Sequence, residues 1–281
     1  MIFNPESRRR FLWRAGRYLY CRARGEVANA IETNGEAYVQ ACVIKGTQSS
    51  EIPLTVFDIG ANLGKWTTSL LAQIPEERAG QARISMFEPV PSTYEKLLKN
   101  MKGLEHGGMA KAWPLAMSNG EGEAEMVILS ESGGTNSLEF DHELARQALN
   151  KVKIRKDTVD HFCQQEKIDH IHLLKCDTEG HDAHALEGVR AMLTGEQVDV
   201  AQFEYNQRWI YARSYLKDVF DLIDGLPYSV GRIQPGMIEV FESWHFELER
   251  FFEGNYLIVH DRALDWFNIR KGRFDSSNTY A

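Results

Sequence analysis

Apolar residues in this chain come in short runs that end at polar or glycine-bearing turns. Leu54, Val56 and Phe57 predict a short buried strand of a parallel sheet. That run ends at Asp58, passes through Gly60-Ala61-Asn62-Leu63-Gly64, and enters a helical stretch carrying Trp66, Leu70 and Leu71. A strand that turns through glycines into a helix opens a nucleotide-sized crevice at the carboxyl end of a sheet. An ordinary strand-to-helix turn would leave the same pattern.

The same rhythm continues along the chain. Arg83–Phe87 predicts a second strand ending at Glu88, and Ser92-Thr93-Tyr94-Glu95 offers a capping box for a helix to about Met101. Ala112–Met117 predicts a third strand followed by the turn Ser118-Asn119-Gly120, and Glu123–Leu129 an additional one. Ser130–Ser137 is the most loop-like segment, a candidate lid or a plain surface loop. A short helix opens near Asp157, and a fourth buried strand covers His170–Leu174. Ala185, Leu186, Val189, Met192 and Leu193 form a core-facing helical stripe behind it. Val198–Phe203 predicts a fifth strand and Tyr211–Asp224 a helix. From Tyr228 to Val259, alternating segments broken at Pro235-Gly236 and Gly254-Asn255 predict antiparallel edge strands. Upstream, a helix is expected from Gly35 to Lys45, ended by Pro53. The tail beyond about Asp265 is polar and expected to fray. The expected division is a helical extension over 1–50, one domain over 51–262 and a polar tail over 263–281.

Composition narrows the class. With 281 residues, 43% hydrophobic and 26% charged, the chain suits one soluble domain with additions. A net charge of −8 argues against a nucleic-acid partner that needs a broad basic face. Cys21, Cys42, Cys163 and Cys176 are scattered without a C-x-x-C pair, which fits reduced thiols and a cytoplasmic location. No apolar run is long enough to span a membrane, and the N-terminus is too basic for a signal peptide. Residues 8–24 reverse the global charge, with seven arginines interleaved with Phe11, Leu12, Trp13, Tyr18, Leu19 and Tyr20. Such a helix either docks its aromatics on the domain or makes peripheral contact with an anionic surface or carrier.

The turn at Gly60 has G-x-x-x-G spacing, not the G-x-G-x-x-G of a dinucleotide site, and Asp58 would repel a pyrophosphate. An acid there suits a cationic ligand without phosphate, such as S-adenosylmethionine. Glu88, 24 residues after Gly64, is at the distance expected of an acid that holds both ribose hydroxyls. Ser118 and Asn119 are candidates for the adenine edge. A second polar knot, Lys175-Cys176-Asp177-Thr178-Glu179-Gly180-His181-Asp182, sits at another strand end. Five of nine histidines (His161, His170, His172, His181, His184) fall within 24 residues, yet match no standard zinc signature. Asp177 and Glu179 would suit magnesium, which is possible but not favoured, so no metal ligands are assigned.

Three blocks resemble the FkbM family of S-adenosylmethionine-dependent methyltransferases: F-D-I-G-A-N-L-G-K-W (57–66), F-E-P-V-P-S-T-Y-E-K-L (87–97) and L-L-K-C-D-T-E-G-H-D-A-H-A-L-E-G (173–188). Cys176 and Asp182 depart mildly from the family pattern. The resemblance implies a class I methyltransferase, Rossmann-like, three-layer α/β fold. Its mostly parallel seven-stranded sheet would have an antiparallel C-terminal edge, with N-terminal helices added here. It also implies O-methylation of a sugar, glycan or natural-product hydroxyl. Asp58, Gly60, Asn62, Gly64, Glu88, Ser118, Asn119 and Asp177 are the expected cofactor residues. Asp177, Glu179 and His181 are the expected acceptor-pocket residues, with His181 as base because imidazole ordinarily titrates near working pH. In the competing view, Glu179 and His181 only cap and orient the next helix. The rival functions are a non-catalytic cofactor-binding module and a nicotinamide-dependent oxidoreductase.

Overall fold

The computed structural model describes residues 4–26, 33–50, 52–102, 109–129, 136, 138–139, 146, 148–277 and 279–280. Helices α1 (Pro5–Ala23) and α2 (Glu36–Gly46) precede strand β1 (Leu54–Ile59). Strand and helix then alternate through α3 (Lys65–Leu71), β2 (Ala82–Phe87), α4 (Pro91–Met101) and β3 (Ala110–Trp113). A small separate sheet follows from β4 (Ala116–Met117), β5 (Gly122–Ile128) and β6 (Asn150–Asp157), in the order β4-β6-β5. The alternation resumes with α5 (Val159–Glu166), β7 (Ile171–Cys176), α6 (Asp182–Glu187), α7 (Arg190–Thr194) and β8 (Val198–Tyr205). Short helices α8 (Trp209–Ala212) and α9 (Leu216–Leu222) lead to β9 (Tyr228–Gln234), β10 (Met237–Phe241), β11 (Gly254–His260) and β12 (Ile269–Gly272).

The main sheet runs β12-β10-β9-β11-β8-β7-β1-β2-β3. Strands β3, β2, β1, β7 and β8 are parallel, and β11 lies antiparallel between β8 and β9. The seven expected strands are therefore present, and β10 and β12 extend the edge to nine. Alternate residues of β1 serve opposite faces, as in a sheet covered on both sides. Phe57 and Ile59 join one core with Phe162, Leu186, Leu193 and Leu222. Leu54 and Val56 join the other with Val39, Val43, Trp66, Leu70 and Leu97. Helix α2 thus belongs to the second core, and Gln40 Nε2 donates to the Trp66 carbonyl at 3.1 Å.

Several local expectations change. The capping box at Ser92 does not form: Pro91 takes the first helical turn after Val90, without a side-chain cap. Pro114, which has no N–H to donate, splits the expected third strand between two sheets as β3 and β4. Strand β6 shows no apolar run in sequence because only Ile154 is buried along it. The helix expected over Tyr211–Asp224 is cut into α8 and α9 where Arg213 adopts a φ of 55°. The tail does not simply fray, since β12 pairs in parallel with β10. The Ser130–Ser137 loop lies outside the described residues, except for Asn136.

In α1 no residue is buried, so the expected docking of its aromatics holds only at one end, where Tyr20 meets Phe252 edge-on at 6.1 Å. No helix among the described residues is long and apolar enough to cross a membrane. At the far edge, Glu239 is fully buried against Arg232 at 3.0 Å. Glu239→Ala should lower the unfolding free energy toward the low end of about 3–5 kcal/mol. The loss is limited because Glu26 still reaches Arg232 at 2.8 Å. A urea melt with unchanged midpoint would refute it.

Candidate active site

Asp58 on β1 lies in register with Lys175 on β7, on the sheet face covered by α3. Both side chains are buried, and Lys175 Nζ sits 3.3 Å from Asp58 Oδ1 and 3.3 Å from Asp177 Oδ2. Thr67 Oγ1 donates to Asp58 Oδ2 at 2.6 Å. Burial alone would lower the Lys175 pKa, but Asp58, Asp177 and Glu36 reverse this and hold it above its usual value. Beyond β1 the chain turns at Gly60, whose φ is 77°. A Cβ there would lie 1.9 Å from the Asp177 carbonyl oxygen, so only glycine lets the two strand ends approach. The Gly60 and Ala61 amides both donate to the Phe87 carbonyl at 3.0 Å.

Glu88 follows β2 and accepts from the Asn62 amide at 3.1 Å and the Val90 amide at 2.9 Å. Burial raises its pKa to about 7, partly offset by those two amides. Asn62 sits at φ 49°, with its buried side-chain oxygen Oδ1 unsatisfied. Glu88, Asn62 and Gly60 line a cleft of about 600 Å³, counting its open mouth, at the carboxyl ends of β1, β2 and β7. Val90, Leu115, Met117 and Leu138 give it an apolar slot.

The opposite wall is Asp177, Thr178, Glu179 and His181. Glu179 has a φ of 57° and pairs with Arg208 at 3.0 Å. Its pKa rises to about 7 through burial and then through Asp177. Asp182, fully buried, accepts from the Thr178 and Gly180 amides at 3.3 Å each and is also raised to about 7, chiefly by burial. Glu204 at the end of β8 lies far above its usual range through burial, with Asp177, Asp182 and Glu179 adding to it. His181 makes no side-chain cap to α6. Its Nδ1 is 2.6 Å from Glu139 Oε1, and its Nε2 2.9 Å from Ser118 Oγ. Burial raises the Glu139 pKa, but the hydrogen bond and charge of His181 outweigh it and leave the carboxyl below its ordinary range. An ionised carboxylate only accepts, so in the neutral ring Nδ1 carries the proton and Nε2 is the acceptor facing Ser118 Oγ, whereas the imidazolium donates from both nitrogens.

Gly60, Asn62, Glu88, Asp177, Glu179 and His181 therefore share one cleft, and four other expected cofactor residues do not line it. Asp58 is turned under the floor toward Lys175 because the strand register pairs them. Gly64 serves packing: a Cβ there would lie 2.9 Å from Leu97 Cδ1. Ser118 holds His181, and Asn119 Nδ2 donates to Glu187 at 2.9 Å. The five clustered histidines separate. His170 just before β7 and His172 within it lie at the opposite end of the sheet, where His172 Nδ1 accepts from the Thr55 amide at 3.0 Å. His161 pairs with Asp157 at 2.8 Å. Glu139, His181 and His184 bring potential metal-ligand atoms within 4.8 Å of one another. Sequence reasoning missed Glu139 and Arg208, which carry no local signal. It also missed the role of Lys175, although a lysine inside an apolar strand demands a buried partner.

The donor set fits S-adenosylmethionine. Glu88 would accept the ribose hydroxyls, the apolar slot would take the adenine ring, and Asn62 Oδ1 lacks a donor that a ligand N–H would supply. Asp177 and Glu179 would face the cationic groups. No lysine or arginine lines the cleft among the described residues, so a pyrophosphate has no counter-charge there. A carboxyl raised from 4.5 to about 7 stabilises the ligand-free fold fully below pH 4.5, and this is lost as pH rises through 7. Accepting two hydroxyls favours the ionised form. Affinity for S-adenosylhomocysteine should therefore increase from pH 6 to 8, by up to about tenfold per unit below the pKa. Glu179 and Asp182 titrate in the same window, so calorimetry on Glu88→Gln isolates the Glu88 share. An unchanged pH slope in that variant removes Glu88 from ribose binding.

A comparison with curated proteins finds no significant match. Among solved structures, similarity is found to a methyltransferase FkbM from Methylobacillus flagellatus KT, with 14% identity and a TM-score of 0.44 over 76% of this chain and 47% of that one. The chain thus spans about half the length of that protein. A precorrin-6y C5,15-methyltransferase from Geobacter metallireducens GS-15 aligns with 9% identity and TM-score 0.39, over 84% and 94% of the chains. An O-methyltransferase from Bacillus cereus in complex with SAH aligns with 9% identity and TM-score 0.43, over 84% and 83%. Likenesses this distant carry no argument about substrate or mechanism. The family model described as Methyltransferase FkbM domain, by contrast, matches residues 58–255, from Asp58 in β1 to Asn255 in β11, and the chain belongs to the FkbM methyltransferase family.

Proposed function

We propose that the protein transfers a methyl group from S-adenosylmethionine to a hydroxyl of a sugar, glycan or natural-product acceptor. The observation that carries this reading is the Glu139–His181–Ser118 chain, in which the His181 ring, at the wall of the cleft, is held between a carboxylate and a buried hydroxyl. When bound, the cofactor supplies an electrophilic methyl on a sulfonium. Glu88 and the apolar slot hold its nucleoside, and Asp177 and Glu179 balance its positive groups. The acceptor hydroxyl takes the place of Ser118 at His181 Nε2. Nε2 would take the proton of that hydroxyl as its oxygen accepted the methyl group, with S-adenosylhomocysteine as the product that leaves. Glu139 stabilises the resulting imidazolium, and base assistance of this kind is worth about 10²–10⁴-fold.

The test uses methyl-labelled S-adenosylmethionine with a panel of sugars, nucleotide sugars and polyketide alcohols. Label should enter a product stable to mild alkali, as an ether is and an ester is not. His181→Ala should lower kcat by about 10²-fold or more while S-adenosylhomocysteine still binds. Near-normal turnover in that variant removes His181 from the mechanism. Label confined to esters or amines defeats O-methylation. Binding of NAD without S-adenosylhomocysteine would defeat methyl transfer altogether.

A further inference from the structure

We propose that α1 is an amphipathic surface helix that seats the protein on an anionic lipid membrane. Phe11, Leu12, Trp13, Tyr18 and Leu19 are 57–74% exposed, though large apolar side chains of a folded chain are ordinarily covered. At about 100° per residue, Phe11, Leu12, Ala15, Tyr18 and Leu19 fall in one arc of about 120°; Arg8 and Arg22 lie within it, near the two ends of the helix, and Arg14 and Arg9 flank it. The reverse side of the helix makes the attachment: Tyr20 meets Phe252 edge-on, and the Arg17 guanidinium lies 4.9 Å over the same ring. The apolar arc therefore faces away from the domain.

Charge selects the occupant. Residues 5–24 hold seven arginines against one acid, Glu6, inside a chain of net −8. A lipid headgroup layer supplies both phosphates for the guanidinium groups and an apolar boundary for the aromatic arc. Arginine stems snorkel readily from such an arc to the phosphates. The acidic remainder of the chain is repelled by the same surface, which confines contact to the helix. Phe252 precedes Gly254, which pairs with Tyr205, the last residue of β8. The helix is thus anchored at the carboxyl end of the parallel strands, the end at which the cleft opens. The inference stands apart from the proposed acceptor, since membrane contact needs no substrate.

The experiment is co-sedimentation of the full chain with phosphatidylcholine vesicles, pure or with about one third phosphatidylglycerol, at about 0.1 M salt. Binding should require the anionic lipid and weaken as salt rises. Each arginine near the surface is worth about fivefold, so the R8Q/R9Q/R10Q/R14Q variant should lose about a hundredfold or more. F11S/L12S/L19S should lose about tenfold or more, and both variants should keep S-adenosylhomocysteine binding. Equal binding to neutral vesicles, or variants that bind like the parent, would overturn the proposal. So would a concentration-dependent dimer, abolished by F11S/L12S/L19S, in a protein that ignores vesicles; the arc would then be a self-interface. Loss of S-adenosylhomocysteine binding in that variant would make the arc part of the fold and overturn the proposal equally.

Discussion

A buried ammonium held between two carboxylates sets the geometry of the whole cleft. Lys175 bridges Asp58 of β1 and Asp177 beyond β7, and the two strands are locked in register beside it. Isolated, either of the two buried charges, Lys175 or Asp58, would cost several kcal/mol to bury. Together they are tolerable only if the two strands stay in register. The Asp177 amide donates to the Ile59 carbonyl at 3.0 Å, so the same contact brings the Gly60 turn against the second polar knot. The cleft opens where those two turns part. A one-residue slip of β7 would turn Lys175 to the opposite face and strand the buried Asp58 without its partner.

The electrostatic consequence is an acidic cleft with little compensation of its own. Glu88, Glu179 and Asp182 are each raised to about 7, and Glu204 stands higher still. Their common cause is burial, and in the last three the charge of Asp177 adds to it. Lys175 is committed to Asp58 and Asp177, and Arg208 to Glu179. A cationic ligand without phosphate relieves this imbalance, whereas a dinucleotide would aggravate it. The preference argued on sequence from Asp58 thus survives, but through other residues. Asp58 is occupied by Lys175, and the acids that meet the cleft are Asp177 and Glu179.

What could be read from the sequence follows a physical divide. Strand ends and glycine turns are local, so β1, Glu88 and the Asp177 knot were legible as one crevice. Cross-strand partnership is not local. Nothing in the segment around Asp58 reveals that Lys175, more than a hundred positions later, lies beside it. Ser118 was legible as a turn residue, but its bond to His181 depends on the small second sheet, whose strand β6 shows no apolar run. Gly64 illustrates how one residue can serve two ends. Its place in the turn suggests a ligand, and its φ of 82° and the close approach of Leu97 and Met101 also suit glycine there. Helix α1 was legible as basic and aromatic, yet sequence alone could not say which side of it would be covered.

His181 raises a sharper question, because both of its nitrogens are already engaged. A histidine fixed only to orient a helix would bond that helix, whereas this ring makes no capping hydrogen bond to α6 and only packs against His184 at 4.9 Å. Its partners are a carboxylate on one side and a hydroxyl on the other, drawn from separate parts of the chain. The Glu139 bond fixes the tautomer and leaves Nε2 as the basic position. Ser118, fully buried, occupies that position with the functional group that the proposed acceptor would bring. An incoming alcohol therefore exchanges one hydroxyl hydrogen bond for another at Nε2, and the site need not desolvate a bare lone pair first. A protonated amine could form that bond only by placing a second cation beside the proposed sulfonium. The chain of three side chains thus favours alcohols over ammonium groups before any shape of the acceptor is considered.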